Sequence, residues 1–210
     1  MSKLTIKKIE KKVKGRTPKP IGRYSFFSVL VPLVEIDDEL WVLYEIRSEK
    51  LTHQPGEVCF PGGGLEAGET QEEGAVRETC EELGIETSAI KILGQLDTLH
   101  TYSNFTMYSF LGVIRHEDLL LASPSVDEVK EYFLVPLDYL METPPFVYEM
   151  DVSPNIGADF PYEIVNFDEG YNWRRGTAEI PIYTFEDKVI WGLTARITKN
   201  MVEIMKEKKL

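Results

Sequence analysis

Three glutamates are spaced so that one helix could bring their carboxylates together. Glu78, Glu81 and Glu82 stand at positions i, i+3 and i+4, and this spacing places side chains on one helical face. An ordinary solvated acidic face is the alternative interpretation. Like charges at this spacing destabilise a helix by about 0.2–0.5 kcal/mol per pair, which favours a bound cation as the reason for the cluster. Mg²⁺ that also binds substrate phosphates takes oxygen ligands of this kind.

A glycine-rich loop lies directly before this helix. Residues 61–64 read Pro-Gly-Gly-Gly, and glycine lets a backbone approach a ligand closely. The helix is predicted over residues 70–83, because Thr70 and Glu73 have the spacing of a capping box and Gly84 stands where a glycine would end the helix. On a wheel of about 100° per residue, the apolar and small residues form one arc for packing on a sheet. The three glutamates are predicted on the opposite side.

Strand signals around this helix predict the fold class. Pro32 predicts an edge or a bulge in the first predicted strand, Tyr24–Ile36. A final helix is predicted from an apolar face that runs from Leu193 to Met205. The predicted strands are Tyr24–Ile36, Leu40–Arg47, Val58–Phe60, Ile90–Asp97, Phe105–Ile114, Val129–Val135, Ile180–Phe185 and Val189–Trp191. Strands interspersed with two substantial helices predict an α/β sandwich with a mixed central sheet.

Length and charge limit the domain count and the classes of partner. The 210 residues, 43% of them hydrophobic, fit one domain over 21–210, with an arm and linker over 1–20 and an irregular insertion around 142–180. A net charge of −12 argues against a nucleic-acid surface, although an acidic protein can bind phosphates through a metal. The sequence predicts no membrane partner and leaves homodimer formation open. Cys59 and Cys80 lack metal or CxxC spacing, which predicts reduced thiols and a cytoplasmic protein.

The segment that carries the glutamates resembles a known family motif. Residues 63–85 read GGLEAGETQEEGAVRETCEELGI. This is similar to the Nudix box: Gly, five residues, Glu, seven residues, Arg-Glu, an aliphatic residue, any residue, Glu-Glu, any residue, Gly and an aliphatic residue. Thr79 stands at the first aliphatic position and is the one departure. The matching residues are Gly63, Glu69, Arg77, Glu78, Glu81, Glu82, Gly84 and Ile85.

The resemblance implies a Nudix-type α/β/α sandwich and a role for each matching residue. Mg²⁺ or Mn²⁺ would be held by the carboxylates of Glu78, Glu81 and Glu82 and by the Gly63 carbonyl. The cation would neutralise phosphate charge and lower the pKa of an attacking water. Other matching positions would be structural, Glu69 and Gly84 among them, and Arg77 would fix the carboxylates through charge-assisted hydrogen bonds. The general base would be a helix carboxylate or a later loop glutamate, for which Glu128 is the candidate.

The stretch upstream of the box resembles a subfamily motif. Residues 43–63 read LYEIRSEKLTHQPGEVCFPGG, which is similar to the motif that marks coenzyme A diphosphatases within the Nudix group. Tyr44, Glu45 and Thr52 depart from it, and Thr52 replaces an arginine that could contact phosphate. Ile190–Arg196 (IWGLTAR) also resembles the subfamily segment that opens the last helix, although Trp191 and Leu193 are interpreted as core residues. The residues implied in substrate binding are Arg47, Ser48, Thr52, Gly56, Phe60 and Gly62.

The resemblance implies hydrolysis of coenzyme A or acyl-CoA to 3′,5′-ADP and 4′-phosphopantetheine or its acyl form. Thr52 leaves open a Nudix pyrophosphatase that acts on another nucleoside diphosphate derivative, such as ADP-ribose or NADH. A nucleotide-sensing Nudix domain without activity is a further alternative, which the complete set of box glutamates disfavours. A cysteine nucleophile is disfavoured because Cys80 falls on the apolar side of the helix.

Overall fold

The structure is a computed structural model that describes residues 4–167 and 169–207. Residues 1–3 of the predicted arm and residues 208–210 of the predicted domain therefore lie outside the described residues. The helices are α1 Ile6–Val13, α2 Gln71–Leu83, α3 His116–Leu120, α4 Leu137–Glu142 and α5 Gly192–Lys206, with a 3-10 turn at Thr87–Ala89. The strands are β1 Ser25–Ile36, β2 Glu39–Arg47, β3 Val58–Cys59, β4 Gly62–Gly64, β5 Ile90–Gln95, β6 Leu99–His100, β7 Phe105–Ile114, β8 Val129–Pro136, β9 Phe146–Val152, β10 Gly176–Phe185 and β11 Lys188–Trp191.

A mixed sheet forms the centre of the protein. β1 pairs in parallel with β7 and antiparallel with β2, and the order along the sheet is β3-β2-β1-β7-β5. β8 adds to β2, β4 to β1 and β6 to β7. The predicted α/β fold with a mixed central sheet is confirmed.

The two faces of this sheet bury two separate cores. Leu30 and Val34 of β1 pack with Ala75 and Leu83 of α2. The alternate residues of β1, such as Val31, pack on the other face with residues of α5. This period of two is the side-chain alternation of a strand. It places α2 and α5 on opposite faces, which is the predicted sandwich.

Pro32 lies in a central strand, so the predicted edge position is wrong. The amide of Leu30 donates to the Pro61 carbonyl at 2.9 Å, and the position of the missing Pro32 N–H faces the same side of β1. On that side β1 pairs with β4 up to Val29 and with β2 only from Leu33. Pro32 therefore falls between two partners, where no ladder hydrogen bond is lost.

A second sheet covers the end of the molecule near α5. β10 lies between β9 and β11, and both pairings are antiparallel. The stretch predicted as irregular, 142–180, thus contains β9 and the start of β10, while 153–167 and 169–175 are turns and irregular backbone. α1 buries none of its residues.

Candidate active site

The helix that carries the glutamates starts and ends at strong local signals. The Thr70 side chain accepts from the Glu73 amide at 3.2 Å, and the Glu73 carboxylate accepts from the Thr70 amide at 2.8 Å. This reciprocal capping box satisfies two of the free donors at the helix start. Gly84 ends the helix with a φ of 65°, a left-handed conformation that suits glycine.

Arg77 joins the glycine loop to the acidic residues of α2. Its guanidinium donates to Glu69 at 3.0 and 3.1 Å and to the Gly64 carbonyl at 3.1 Å. It also donates to Glu78 at 2.8 Å and to Glu81 at 3.1 Å. The hydrogen bond from Arg77 is the main cause that lowers the pKa of Glu69. One cation thereby fixes three carboxylates and a loop carbonyl.

Glu82 is buried, which differs from the predicted solvent-side position. Its side of α2 faces the sheet, the residue is 7% exposed, and its Oε2 accepts from the Gly62 amide at 2.7 Å. Burial is the main cause that raises the pKa of Glu82 from 4.5 to about 8, and the charges of Glu78 and Glu128 add to it. A carboxylate in this position gains from a nearby cation when it ionises.

Glu81 lies outside the cavity lining, unlike the other two box glutamates. Its side chain is 57% exposed and pairs with Arg77. Glu78 is partly buried beside the glycine loop, and burial raises its pKa. A Cβ atom on Gly63 would lie 2.5 Å from both carboxylate oxygens of Glu78, so only glycine lets the loop lie this close to the helix.

A cavity of about 950 Å³ opens beside these carboxylates. One wall is acidic and comes from α2, the glycine loop, β2 and the loop before β8; its residues include Arg47, Gly62, Gly63, Glu78, Glu82 and Glu128. The opposite wall is mostly apolar and comes from the second sheet and the start of α5. Its residues include Met150, Ile180, Trp191, Leu193, Arg196 and Ile197. Trp191 and Leu193 thus face the cavity, not the core as interpreted from sequence.

The candidate base, Glu128, lies in a loop that Ser48 holds. The Ser48 amide donates to the Glu128 carbonyl at 2.8 Å, and the Ser48 hydroxyl donates to the Val126 carbonyl at 3.2 Å. The Glu128 side chain lines the cavity with Glu78 and Glu82. Ser48 is only 5% exposed and lies outside the cavity lining, so it positions the loop and does not face the ligand space.

The other residues of the upstream motif divide in the same way. Arg47, Thr52, Phe60 and Gly62 line the cavity, whereas Gly56 does not. Gly56 has a φ of 73° and its amide donates to the Arg47 carbonyl at 3.1 Å. It therefore shapes the turn that carries Thr52, and the predicted contact of Ser48 and Gly56 with substrate has no geometric support.

Glu45 departs from the subfamily motif, and no role in the site was predicted for it. The residue is 1% exposed, and its Oε1 has no hydrogen-bond partner among the described residues. Burial is the main cause that raises its pKa well above the ordinary value; the charge of Glu82 raises it further, and Arg47 lowers it. The sequence signal for this burial was the place of Glu45 between Leu43 and Arg47 on one face of β2, although burial there depends on how α2 packs.

The donor set near the loop fits a hard divalent cation. Within residues 4–167 and 169–207, no three acidic, His or Cys side chains converge as a complete metal site, and Glu81 lies outside the cavity lining. Mg²⁺ does not require such a cage, because it keeps several waters and takes one or two carboxylates with substrate phosphates. Glu78 and Glu82 line the cavity beside Gly63, and burial is the main cause that raises the pKa of both carboxyls. The all-oxygen donor set agrees with Mg²⁺ or Mn²⁺.

The two cysteines are free thiols. Cys59 lines the cavity, but burial, together with the charges of Glu45 and Glu82, raises the pKa of its thiol. Burial also raises the pKa of Cys80. A thiolate nucleophile is disfavoured at either position.

Comparisons with known proteins agree with the motifs. The family model of the NUDIX domain matches residues 26–151. The peroxisomal coenzyme A diphosphatase NUDT7 of Mus musculus is 37% identical over 135 residues, which cover 64% of this chain and 56% of that protein. The mitochondrial coenzyme A diphosphatase NUDT8 of Homo sapiens is 28% identical over 193 residues, which cover 91% of this chain and 74% of that protein.

A solved structure supports the fold across the chain. The MutT/nudix family protein from Enterococcus faecalis superposes with a TM-score of 0.54 at 16% identity, and the match covers 97% of this chain and 71% of that one. The chain spans only about half the length of the first curated relatives it matches. No described helix has the length and apolar character needed to cross a membrane.

Proposed function

The chain belongs to the Nudix family, and on that premise we propose that it is a hydrolase that cleaves the diphosphate linkage of coenzyme A or acyl-CoA. The products would be 3′,5′-ADP and 4′-phosphopantetheine or its acyl form. Relatives that carry the name coenzyme A diphosphatase support this substrate class. The chain's cytoplasmic location, its division at residue 20 and a homodimer stay predictions.

One observation carries the proposal: a single cavity joins the carboxylates of α2 to an apolar wall with an arginine. The diphosphate of coenzyme A is its polar centre, and the pantetheine arm is its long, less polar part. Glu78, Glu82 and Glu128 provide the acidic end where a cation and a diphosphate would bind. Trp191 and Leu193 provide apolar surface for the pantetheine or acyl part.

The residues of α2 and the glycine loop would bind the cation. Glu78, Glu82 and the Gly63 carbonyl are the groups that would hold Mg²⁺ or Mn²⁺. When bound, the cation would neutralise phosphate charge and make water a stronger acid. Arg77 would keep Glu78 in place through its 2.8 Å hydrogen bond. The Gly62 amide would keep Glu82 in place through its 2.7 Å hydrogen bond.

Glu128 would accept the proton of the attacking water. Its loop is fixed to β2 through the 2.8 Å hydrogen bond from the Ser48 amide, and its side chain faces the same cavity as Glu78 and Glu82. Water would form a new P–O bond as the bridging P–O bond breaks, and the departing phosphate would leave with the bridging oxygen. Arg47 lines the same cavity as Glu128 and would stabilise charge on the phosphate oxygens of the substrate.

A substrate panel tests this proposal. The protein with Mg²⁺ or Mn²⁺ would be given CoA, acetyl-CoA, ADP-ribose, NADH and diadenosine polyphosphates, with EDTA samples as controls. We expect the highest kcat/KM for CoA or acetyl-CoA, and no turnover in EDTA. A higher kcat/KM for ADP-ribose or NADH would retain Nudix hydrolysis and contradict the CoA assignment. No turnover of any substrate would favour a sensing domain.

A further inference from the structure

The apolar wall of the cavity contains one arginine that has no assigned role. Arg196 lies on the face of α5 that also carries Leu193 and Ile197, and all three line the cavity. They are spaced at i, i+3 and i+4, so they form one helical stripe. The Thr194 hydroxyl donates to the Val58 carbonyl at 3.0 Å. This bond fixes the first turns of α5 to β3 and sets where Arg196 faces.

The guanidinium of Arg196 is available for a ligand. In the part of the chain that the structure describes, no side-chain hydrogen bond or ion pair reaches it. Glu179 attracts it electrostatically, but the Glu179 carboxylate already accepts from Lys199 at 2.7 Å. Arg196 lines this cavity and also a smaller cleft with Asp97 and Asn200. A half-buried guanidinium without a bonded partner among the described residues retains its full set of donors there.

A substrate with a terminal phosphate needs such a cation here. The cavity wall carries the acids Glu78, Glu82 and Glu128 near the diphosphate end, and Glu179 near α5. Thr52 lines the cavity at the position where the subfamily motif has an arginine, and a hydroxyl cannot neutralise phosphate charge. A phosphomonoester, with close to two negative charges, would be repelled from this cavity without a compensating cation.

The other nearby cations are already engaged. Lys50 donates to Asp127 at 2.7 Å and lies outside the cavity lining. Arg47 donates to the His53 carbonyl at 3.4 Å and lies among the charges of Glu45 and Glu82. His53 lines the cavity, but an imidazole lacks the bidentate donor pair that a guanidinium offers to phosphate. Arg196 is therefore the best-placed donor for a phosphate away from the diphosphate.

We propose that Arg196 is the specificity-determining residue that binds the 3′-phosphate of the substrate. In this role Arg196 of α5 takes the place of the motif arginine, at whose position this chain has Thr52. The inference rests on the proposed function, because only a CoA-type substrate carries this phosphomonoester together with the diphosphate. Since the 3′-phosphate takes no part in the bond that breaks, Arg196 acts on recognition and not on the chemical step.

The test compares CoA with 3′-dephospho-CoA, which differs only in the 3′-phosphate. For Arg196→Gln we expect kcat/KM for CoA to fall about 10- to 100-fold, the loss typical of a hydrogen bond to a charged group. The fall should appear in KM, and kcat/KM for 3′-dephospho-CoA should stay within about twofold of wild type. Arg196→Lys should recover part of the loss on CoA, because it restores the charge without the planar fork.

A matched control removes one arginine charge elsewhere. Arg175 is exposed, has no described hydrogen bond and lies outside the cavity lining. Arg175→Gln should leave both substrates within about twofold of wild type. His53→Gln tests the imidazole that also lines the cavity, and we expect it to change the ratio of the two kcat/KM values less than Arg196→Gln does.

Binding of products gives a readout without turnover. Titration calorimetry should show that Arg196→Gln raises the Kd of 3′,5′-ADP by about 10-fold or more and leaves the Kd of 5′-AMP unchanged. Equal losses on both substrates, or no loss on CoA, would overturn the role of Arg196 while the proposed function stands. A wild-type protein that turns over ADP-ribose but neither CoA nor 3′-dephospho-CoA would overturn the proposed function, and this inference with it.

Discussion

The two walls of the cavity differ in charge and in their place along the chain. The α2 wall is acidic, and Gly63, Glu78 and Glu82 lie within the span 26–151 that the NUDIX family model matches. The α5 wall is mostly apolar, with Glu179 and Arg196 as its charged residues. Trp191, Leu193 and Arg196 lie beyond that span. On the proposed function, the chemical step would reside in the α2 wall, and the α5 wall would select the substrate.

The walls also differ in how tightly their polar groups are held. On the α2 wall, Arg77 and the Gly62 amide donate to the carboxylates of Glu78 and Glu82, and the Gly64 carbonyl accepts from Arg77. On the α5 wall, no hydrogen bond or ion pair from the described residues holds the Arg196 side chain. Preorganised charge is what a chemical step requires, whereas a recognition residue can close on its ligand. The following variants test this division.

The largest effect should come from the α2 wall. We expect Glu82→Gln to lower kcat by on the order of 10³-fold, because a buried carboxylate that would hold the cation is neutralised. The effect should be similar for CoA and ADP-ribose if the latter is turned over at all. Steady-state kinetics with saturating Mg²⁺ measures it.

Glu81→Gln is the matched control for that variant. Glu81 is mostly exposed and pairs with Arg77, so its loss should weaken the array indirectly and cost on the order of 10-fold. A Glu81→Gln variant that loses as much activity as Glu82→Gln would contradict the geometry of α2. Wild-type rates in both variants would remove the metal assignment.

A single methyl group on the glycine loop should have the next largest effect. A Cβ at residue 63 would press on both oxygens of Glu78, whereas a Cβ at Gly64 meets nothing within 4 Å. We expect Gly63→Ala to lower kcat/KM by about 10²-fold through displacement of Glu78, and Gly64→Ala to stay near wild type. Equal rates for the two variants would show that the close approach of loop and helix is not needed.

The stability of the metal-free protein should depend on pH through Glu82. Its pKa is about 8 in the folded protein against 4.5 as the ordinary value, so the folded state binds a proton that the unfolded state has released. Stability in EDTA should therefore fall as pH rises from about 4.5 to about 8. The Glu82→Gln protein should lose less stability over this pH range than wild type, by on the order of 2 kcal/mol in the free energy of unfolding.

Urea midpoints at pH 5 and pH 8 in EDTA measure this dependence. The Glu82→Gln protein should be more stable than wild type at pH 8 and close to it at pH 5. Mg²⁺ should restore wild-type stability at pH 8, because a cation favours the ionised carboxylate. Identical pH profiles for the two proteins would contradict the burial of Glu82.

The smallest effect should come from restoring the motif arginine on the cavity wall. If Arg196 already binds the 3′-phosphate, Thr52→Arg should change kcat/KM for CoA by no more than about threefold. In the Arg196→Gln background the same change should raise kcat/KM for CoA several-fold. A gain of 10-fold or more in the wild-type background would show that the phosphate has no partner on α5.

The sequence predicted α2 well because its signals are local. The capping box at Thr70 and the left-handed turn at Gly84 fix both ends of the helix whatever lies around it. The central strands were also predicted, with β7 matching Phe105–Ile114 at both ends. Local hydrogen bonds and strong apolar runs leave little for tertiary context to change.

The side chains of the site depended on tertiary packing, and here sequence reasoning failed in part. A helical wheel places Glu82 only about 20° from the buried residue Ala75, so the wheel could have predicted its burial. Glu82 was instead grouped with Glu81 on the solvent side. The place of Glu45 between Leu43 and Arg47 on one face of β2 was a local signal, but its burial also depends on pairing with β3 in the folded protein. The role of Arg196 needed the cavity wall to be assembled from distant segments.

The most direct test of the account is the product of CoA hydrolysis in ¹⁸O-labelled water. Wild-type protein with Mg²⁺ should release 3′,5′-ADP and 4′-phosphopantetheine in equal amounts, with one ¹⁸O atom in one of the two new phosphate groups per turnover. Release of inorganic phosphate from the 3′ position, or no cleavage of CoA while another nucleoside diphosphate derivative is cut, would contradict the account.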